Sequence, residues 1–207
     1  MKFNNDKLDE IESVTVEHYD TSAESFWAGT RSHDDTQNYQ AMLSQFPVGQ
    51  TLNILDFGCG PGRDILYFKN LGHRPVGLDG SYEFCKMARA YTGCEVMHQA
   101  FLKMNLPREA YDGIFANAAL FHIPSQEFPR VLRELHDSLR PGGILFSSNP
   151  RGDCEGWDGD RYGHYYQFAH AARYLEEAGF EIIHHYYRPP GKPIKEQPWL
   201  AIISRRN

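Results

Sequence analysis

Cysteine is scarce in this chain: Cys59, Cys85, Cys94 and Cys154 are the only four among 207 residues. None forms a CxxC pair, so neither a disulfide framework nor a patterned zinc site organises the fold. A reduced, cytoplasmic protein without a metal centre is the expectation. Long apolar runs are missing too, and nothing approaches the roughly 20 residues that a membrane-spanning helix needs. The polar start Met1-Lys2-Phe3-Asn4-Asn5-Asp6 lacks a secretory apolar core. Basic charge is also short, with 21 Lys and Arg against 27 Asp and Glu, and a net charge of -6. Phosphate backbones are gripped by clustered Lys and Arg. Here the arginines are scattered, dense only in Ser204-Arg205-Arg206-Asn207, so no nucleic-acid partner is expected. Internal repeats and low-complexity tracts are absent as well.

What the chain does have is apolar content of 41 %, enough to cover both faces of one sheet. The pattern divides it into an N-terminal extension or lid, residues 1–50, and a core, residues 51–207, within a single structural domain. The polar stretch to Ser13 is expected to fray. A helix is predicted over Thr36 to Phe46, where Tyr39, Met42, Leu43 and Phe46 share one face. Strand and helix then alternate. Strands are predicted at Thr51–Phe57, Arg74–Leu78, Glu95–Gln99, Tyr111–Ala116 and Ile144–Ser148, and a closing pair at Phe180–Tyr187 and Trp199–Ile203. Helices fall at Arg63–Leu71, from the N-cap Ser81 to about Tyr91, at Ser125–Leu139 and at Ala169–Ala178. Residues 149–166 read as a Gly/Asp/Tyr loop. Such alternation implies a doubly wound α/β fold. The Pro-rich link Pro189-Pro190-Gly191-Lys192-Pro193 has no room for a crossover helix, so the final strands should be antiparallel.

Gly58, Gly60 and Gly62 lie between a strand and a helix. Glycine permits positive φ and lets backbone approach a ligand closely, and doubly wound sheets bind ligands at such strand ends. Asp79 ends the second strand, where a carboxylate can accept both ribose hydroxyls. The glycines recur at every second position, unlike the GxGxxG of dinucleotide sites, and Pro61 removes an N–H from the helix start. An NAD-linked oxidoreductase is therefore the weaker nucleotide-binding alternative.

The run Asp56-Phe57-Gly58-Cys59-Gly60-Pro61-Gly62 resembles the first motif of class I S-adenosylmethionine-dependent methyltransferases. Gly77-Leu78-Asp79-Gly80-Ser81, Tyr111-Asp112-Gly113-Ile114-Phe115-Ala116-Asn117 and Leu139-Arg140-Pro141-Gly142-Gly143 are similar to the later motifs in order and spacing. The resemblance implies a three-layer α/β fold with a mostly parallel seven-stranded sheet and one antiparallel closing strand. It implies S-adenosylmethionine as cofactor. Asp56 and the Gly58-Cys59-Gly60 backbone would face its methionine end, Asp79 and Gly80 its ribose, and Gln99, Ala100 and Phe101 its adenine. Many members carry an Asp at the position of Ala100, so here the adenine amine needs another acceptor, such as Gln99 or a backbone carbonyl.

Methyl transfer from a sulfonium needs a positioned nucleophile and, for a protonated acceptor, a base. His122, just beyond the fourth strand, is the base candidate because imidazole titrates near neutrality. Asn117 is a candidate for orienting cofactor or acceptor. In the N-terminal segment, Tyr19 and Trp27 are candidates to pack beside the methyl donor, and Arg31 to pair with its carboxylate. Arg151, Trp157, Tyr162 and Tyr165 in the 149–166 loop are candidate substrate contacts. The expectation is a methyltransferase of a small polar metabolite through N, O or S, acting as a monomer or homodimer. A non-catalytic S-adenosylmethionine-binding regulatory module is the alternative.

Overall fold

A computed structural model describes residues 2–207. Its centre is a seven-stranded sheet in the order β3-β2-β1-β4-β5-β9-β8. The strands are β1 (Asn53–Phe57), β2 (Arg74–Asp79), β3 (Val96–His98), β4 (Tyr111–Asn117), β5 (Leu139–Pro150), β8 (Phe180–Arg188) and β9 (Trp199–Arg206). Only β9 runs against the others; it pairs antiparallel with both β5 and β8. The expected closing pair therefore exists, but its last strand slots between β5 and β8 instead of forming the edge. The strand order reverses between β1 and β4, which opens a crevice at their carboxyl ends.

Alternation along the strands separates two cores. Ile54 and Phe115 face a layer formed by α3 (Thr36–Leu43) and α4 (Arg63–Asn70), while Leu55, Phe57 and Ile114 face α6 (Phe128–Ser138) and α7 (Phe168–Glu177). Phe57, Phe68, Phe115 and Phe146 are fully buried. Each such side chain contributes roughly 1.5–3 kcal/mol of burial free energy. The α3 layer sits very close to the sheet: a Cβ on Gly113 would collide with the methyl of Met42. The glycine of the fourth-strand motif is thus a seat for α3. Ser81 caps α5 (Tyr82–Thr92) by accepting from the Phe84 N–H at 3.1 Å, as its sequence position predicts.

Two expectations change. The N-terminal stretch is a helix, α1 (Asn5–Thr21), capped by Asn4, and not a frayed arm. Its sequence is polar because most of its surface is wet; Ile11 and Thr15 alone are buried. Tertiary bonds hold it: Glu12 accepts from the Leu102 N–H (2.8 Å), Asp20 from the Glu83 N–H (3.0 Å), and Thr15 from the Tyr162 N–H (3.1 Å). Within residues 149–166 the chain forms a hairpin, β6 (Cys154–Asp158) with β7 (Arg161–Tyr165), in place of a plain loop.

α2 (Ala23–Thr30) and α3 are tied to the sheet by one carboxylate. Asp35 stands at the N-cap of α3 yet makes no side-chain cap bond there. Its oxygens instead accept from Arg63 (2.5 Å), Arg188 (3.0 Å) and Asn117 (3.2 Å). Removing one partner from a buried ion pair typically costs about 3–5 kcal/mol. Asp35→Ala is expected to lose that much stability in urea unfolding, whereas Glu177→Ala on the exposed face of α7 should stay within about 0.5 kcal/mol of wild type. Equal, small losses for both would contradict the assignment.

Candidate functional site

A cavity of about 1000 Å³ lies over the carboxyl ends of β1, β2 and β4 and is bounded by α1, α2 and the β6–β7 hairpin. Ligand sites run from about 300 to 1,000 Å³, so this one is at the upper end of that range.

One half of the wall is the glycine turn. Gly58 has φ 74° and Gly62 φ 95°. A Cβ on Gly58 would stand 2.5 Å from that of Ala119, so only glycine fits where the turn meets the end of β4. The Gly60 N–H donates to one oxygen of Asp79 and the Ser81 N–H to the other, both at 2.9 Å. The Asp79 carboxylate is therefore fixed in orientation, and Asp79 lines the cavity. Burial raises its pKa to about 6, against the opposing pull of the two N–H groups. Cys59, Gly60, Gly80 and Phe101 line the same half, with Phe101 stacked on Phe57 at 4.4 Å.

Other expected cofactor contacts lie elsewhere. Asp56 is 1 % exposed beneath the turn and off the cavity wall. Its Oδ2 has no hydrogen-bond partner, and burial, then the charge of Asp64, push its pKa well up. Gln99 and Ala100 are off the wall as well; the Gln99 side-chain Oε1 already accepts from the Asn105 N–H at 2.8 Å. Arg31 is exposed at the end of α2 and away from the cavity. The cation at this end of the cavity is Arg63, which pairs with Asp35 and Asp64 and donates to the Thr30 carbonyl at 3.1 Å. Its signal was visible: an arginine opening a helix opposes the macrodipole and so has another task.

Asn117 reaches the cavity but has both ends engaged, donating to Asp35 and accepting from Asn38 at 3.1 Å. It braces the wall, and so cannot turn to orient an acceptor without breaking that bracing. Among the loop candidates only Tyr165 lines the cavity. On β7, alternation points Arg161 and Tyr165 inward and Tyr162 to the other side, where its hydroxyl donates to Glu155 at 3.0 Å. Trp157 is outside, packed edge-on against Tyr162. Arg151 is turned away: it donates to the Gln197 and Ile194 carbonyls and lies over the Tyr187 ring. Arg161, Arg188, Phe26 and Phe84 line the cavity without having been singled out.

Tyr19, Trp27 and His122 do line the cavity. The Tyr19 hydroxyl is 2.8 Å from His122 Nε2, and His122 Nδ1 is 2.7 Å from the Tyr162 carbonyl. A carbonyl only accepts, so Nδ1 carries the proton. In the neutral ring Nε2 must then accept, and the Tyr19 hydroxyl donates to it. Burial lowers the His122 pKa to about 4 and raises that of Tyr19 to about 12.

His122 thus binds protons less readily in the folded than in the unfolded state, where its pKa is near 6.5. Stability from this group is present above pH 6.5 and is lost as pH falls toward 4. Asp79, with its raised pKa, works in the opposite sense, so the bulk profile mixes the two. The stability difference between wild type and His122→Gln isolates the histidine, and is expected to shrink between pH 7 and pH 4.5 in urea unfolding. A pH-independent difference would contradict this protonation state.

Residues 54–143 match the family described as methyltransferase domain. A trans-aconitate 2-methyltransferase from Azoarcus sp. is 34 % identical over 118 residues, covering 56 % of this chain and 46 % of the relative. The chain spans about half the length of the curated relatives it matches. Among solved structures, the 1,6-didemethyltoxoflavin-N1-methyltransferase of Burkholderia thailandensis, with S-adenosylhomocysteine bound, superposes with TM-score 0.77 at 20 % identity, over 100 % of this chain and 92 % of the other. The [4+2]-cyclase SpnF superposes with TM-score 0.71 at 17 % identity, over 92 % and 95 %. The chain carries the fold of the class I S-adenosylmethionine-dependent methyltransferases, and its residues 54–143 resemble the methyltransferase domain family.

Proposed function

We propose that the chain binds S-adenosylmethionine and transfers its methyl group to a small-molecule acceptor. The observation that carries this reading is the Asp79 carboxylate, clamped by the Gly60 and Ser81 N–H groups beside the bare Gly58 backbone. The clamp uses one acceptor position on each oxygen and leaves others for a ribose diol. Phe101 and Gly80 offer a flat face and a close backbone approach for the adenine. Arg63 and the Thr30 end of α2 bound the region where the methionine end would lie.

S-adenosylmethionine supplies an activated methyl on a sulfonium. The protein then has to hold the acceptor in line and exclude water. Residues 1–50 serve as the lid for this, over a core of residues 51–207. The acceptor compartment lies between Tyr19, His122, Arg161 and Tyr165. The two methyltransferases named above act on small molecules by their names, which supports the same class of acceptor here. The acidic charge balance supports an acceptor other than nucleic acid, and unpaired Cys59, Cys85, Cys94 and Cys154 support a reducing, cytoplasmic setting. No helix among the described residues is long and apolar enough to cross a membrane.

A fold alone does not decide activity, and the [4+2]-cyclase has the same architecture. Binding and transfer are therefore tested separately. Calorimetry with S-adenosylhomocysteine is expected to show one site, and Asp79→Ala to weaken it about 10- to 100-fold, the worth of a hydrogen bond to a charged group. Methyl-labelled S-adenosylmethionine is expected to pass label to a component of a metabolite extract. No binding at all would sink the reading; binding without transfer would leave only a cofactor-dependent module.

A further inference from the structure

The Tyr19–His122 pair has no task in folding that an ordinary packed pair would not perform as well. It places a hydroxyl, already hydrogen-bonded to a neutral imidazole, on the wall of the cavity. The ring of Tyr19 is fixed on three sides: edge-on to Phe26 at 5.7 Å, edge-on to His122 at 5.4 Å, and tilted against Phe84 at 5.6 Å. The His122 ring is fixed by the Tyr162 carbonyl behind it. Both partners are thus pre-set, and the pair joins α1 to the turn after β4.

Its position divides the cavity. On one side are Ser81 and Asp79, whose charge reaches Tyr19. On the other are Arg161, beside the Tyr19 hydroxyl, and Tyr165. The hydroxyl stands where the ribose compartment meets the acceptor compartment. The charged and titratable groups around it are Asp79 on β2, Arg161 and Tyr165 on β7, and His18 on α1, which acts on His122. The Arg161 cation favours negative charge developing on the phenol oxygen and disfavours lasting positive charge on His122. Asp158, bonded to Arg161 at 2.8 Å, holds that guanidinium in place.

Resting on the methyltransferase reading, we propose that Tyr19 is a catalytic residue that takes the proton of a protic acceptor, an N–H or O–H group, and that His122 acts through it as the terminal proton store. As the acceptor atom forms its bond to the methyl carbon, the carbon–sulfur bond of the donor breaks and its electron pair stays on sulfur. The acceptor proton moves to the Tyr19 oxygen while the Tyr19 proton moves to His122 Nε2. Charge balances: the positive charge lost by the sulfonium reappears on the imidazole, which releases the proton to solvent afterwards. Because burial disfavours the imidazolium, His122 holds the proton only transiently. A carboxylate acceptor is already ionised at neutral pH and has no use for such a relay, so the proposed role applies to a protic acceptor and not to an acid such as trans-aconitate.

The test uses the intact chain, with S-adenosylhomocysteine affinity as the control for the underlying reading. Nitrogen-15 spectra of the histidine rings should show His122 with a protonated Nδ1 and a hydrogen-bonded, unprotonated Nε2. In Tyr19→Phe the Nε2 signal should move toward that of a free acceptor. With methyl-labelled S-adenosylmethionine, a series of substituted phenols and benzimidazoles of graded acidity serves as acceptor probe beside trans-aconitate. Wild type is expected to label the protic probes. Tyr19→Phe should lower kcat on the order of 10²- to 10⁴-fold for the least acidic probes, and progressively less as the probe ionises on its own. S-adenosylhomocysteine affinity should stay within about twofold, since general-base loss acts on the transition state and not on ground-state binding. An Nε2-protonated ring, a deficit independent of probe acidity, or labelling of trans-aconitate alone or of no protic probe would each overturn the proposal. Loss of S-adenosylhomocysteine binding in wild type would instead overturn the reading beneath it.

Discussion

The carboxylate of Asp35 is the point on which the architecture of the cavity turns. It neutralises Arg63 at the start of α4 and Arg188 at the end of β8, and takes a bond from Asn117 at the end of β4. Three separate pieces of the sheet layer are thereby referred to one position in the N-terminal segment. Two guanidinium groups in such a confined space would repel without it, and an unpaired buried charge costs far more than a bond gains. The surrounding groups extend the arrangement: Asp64 accepts from both Arg63 and the Tyr39 hydroxyl (2.5 Å), and Tyr186 donates to Asn38 (2.8 Å). The result is a rigid floor on which α2 and α3 rest. α1 closes over the top through separate, mostly single bonds.

That contrast has a functional meaning. The floor is built from multiply bonded ions and buried aromatic stacks, such as Phe115 on Phe146 at 4.8 Å. The roof is built from a polar helix with few buried side chains. Regions with few buried apolar contacts open at lower free energy than the core, and ligand exchange through a covered cavity requires some part to open. Under the proposed function, the separation of a tied floor from a lightly held roof would let the cavity open without loosening the sheet.

What was legible in the sequence was local. A short apolar run into spaced glycines and a serine two positions past a strand-ending aspartate each depend on neighbours within a few residues, and each appears where the pattern puts it; the run Arg140-Pro141-Gly142-Gly143 instead lies inside β5, which begins at Leu139 and not at Ile144. Asp79 belongs to the same class, because its clamp comes from backbone groups of adjacent turns. The Asp35 junction does not: its partners are dispersed over the chain, and no periodicity links an N-cap aspartate to Arg188. α1 was misread for a related reason. Its sequence carries almost no apolar stripe, and its order comes from side-chain bonds to distant backbone. For the hairpin, the pattern did not fix which side chains face the cavity. Whether Tyr162 or Tyr165 points inward depends on a strand register that only the assembled hairpin fixes, and the same register turns Arg161 inward with Tyr165.

The insertion of β9 between β5 and β8 bears on the order of assembly. Every other strand of the sheet can dock beside one that precedes it in sequence, whereas β8 meets the sheet only through β9. Arg188 ends β8, so its bond to Asp35 forms only after the long-range pairing of β9 with β5 is complete. Such pairings are slow, because chain entropy is lost before the contacts repay it. Completion of the cavity floor is therefore coupled to completion of the sheet. A chain stalled before β9 docks would hold its glycine turn already shaped, and yet have one side of that floor open.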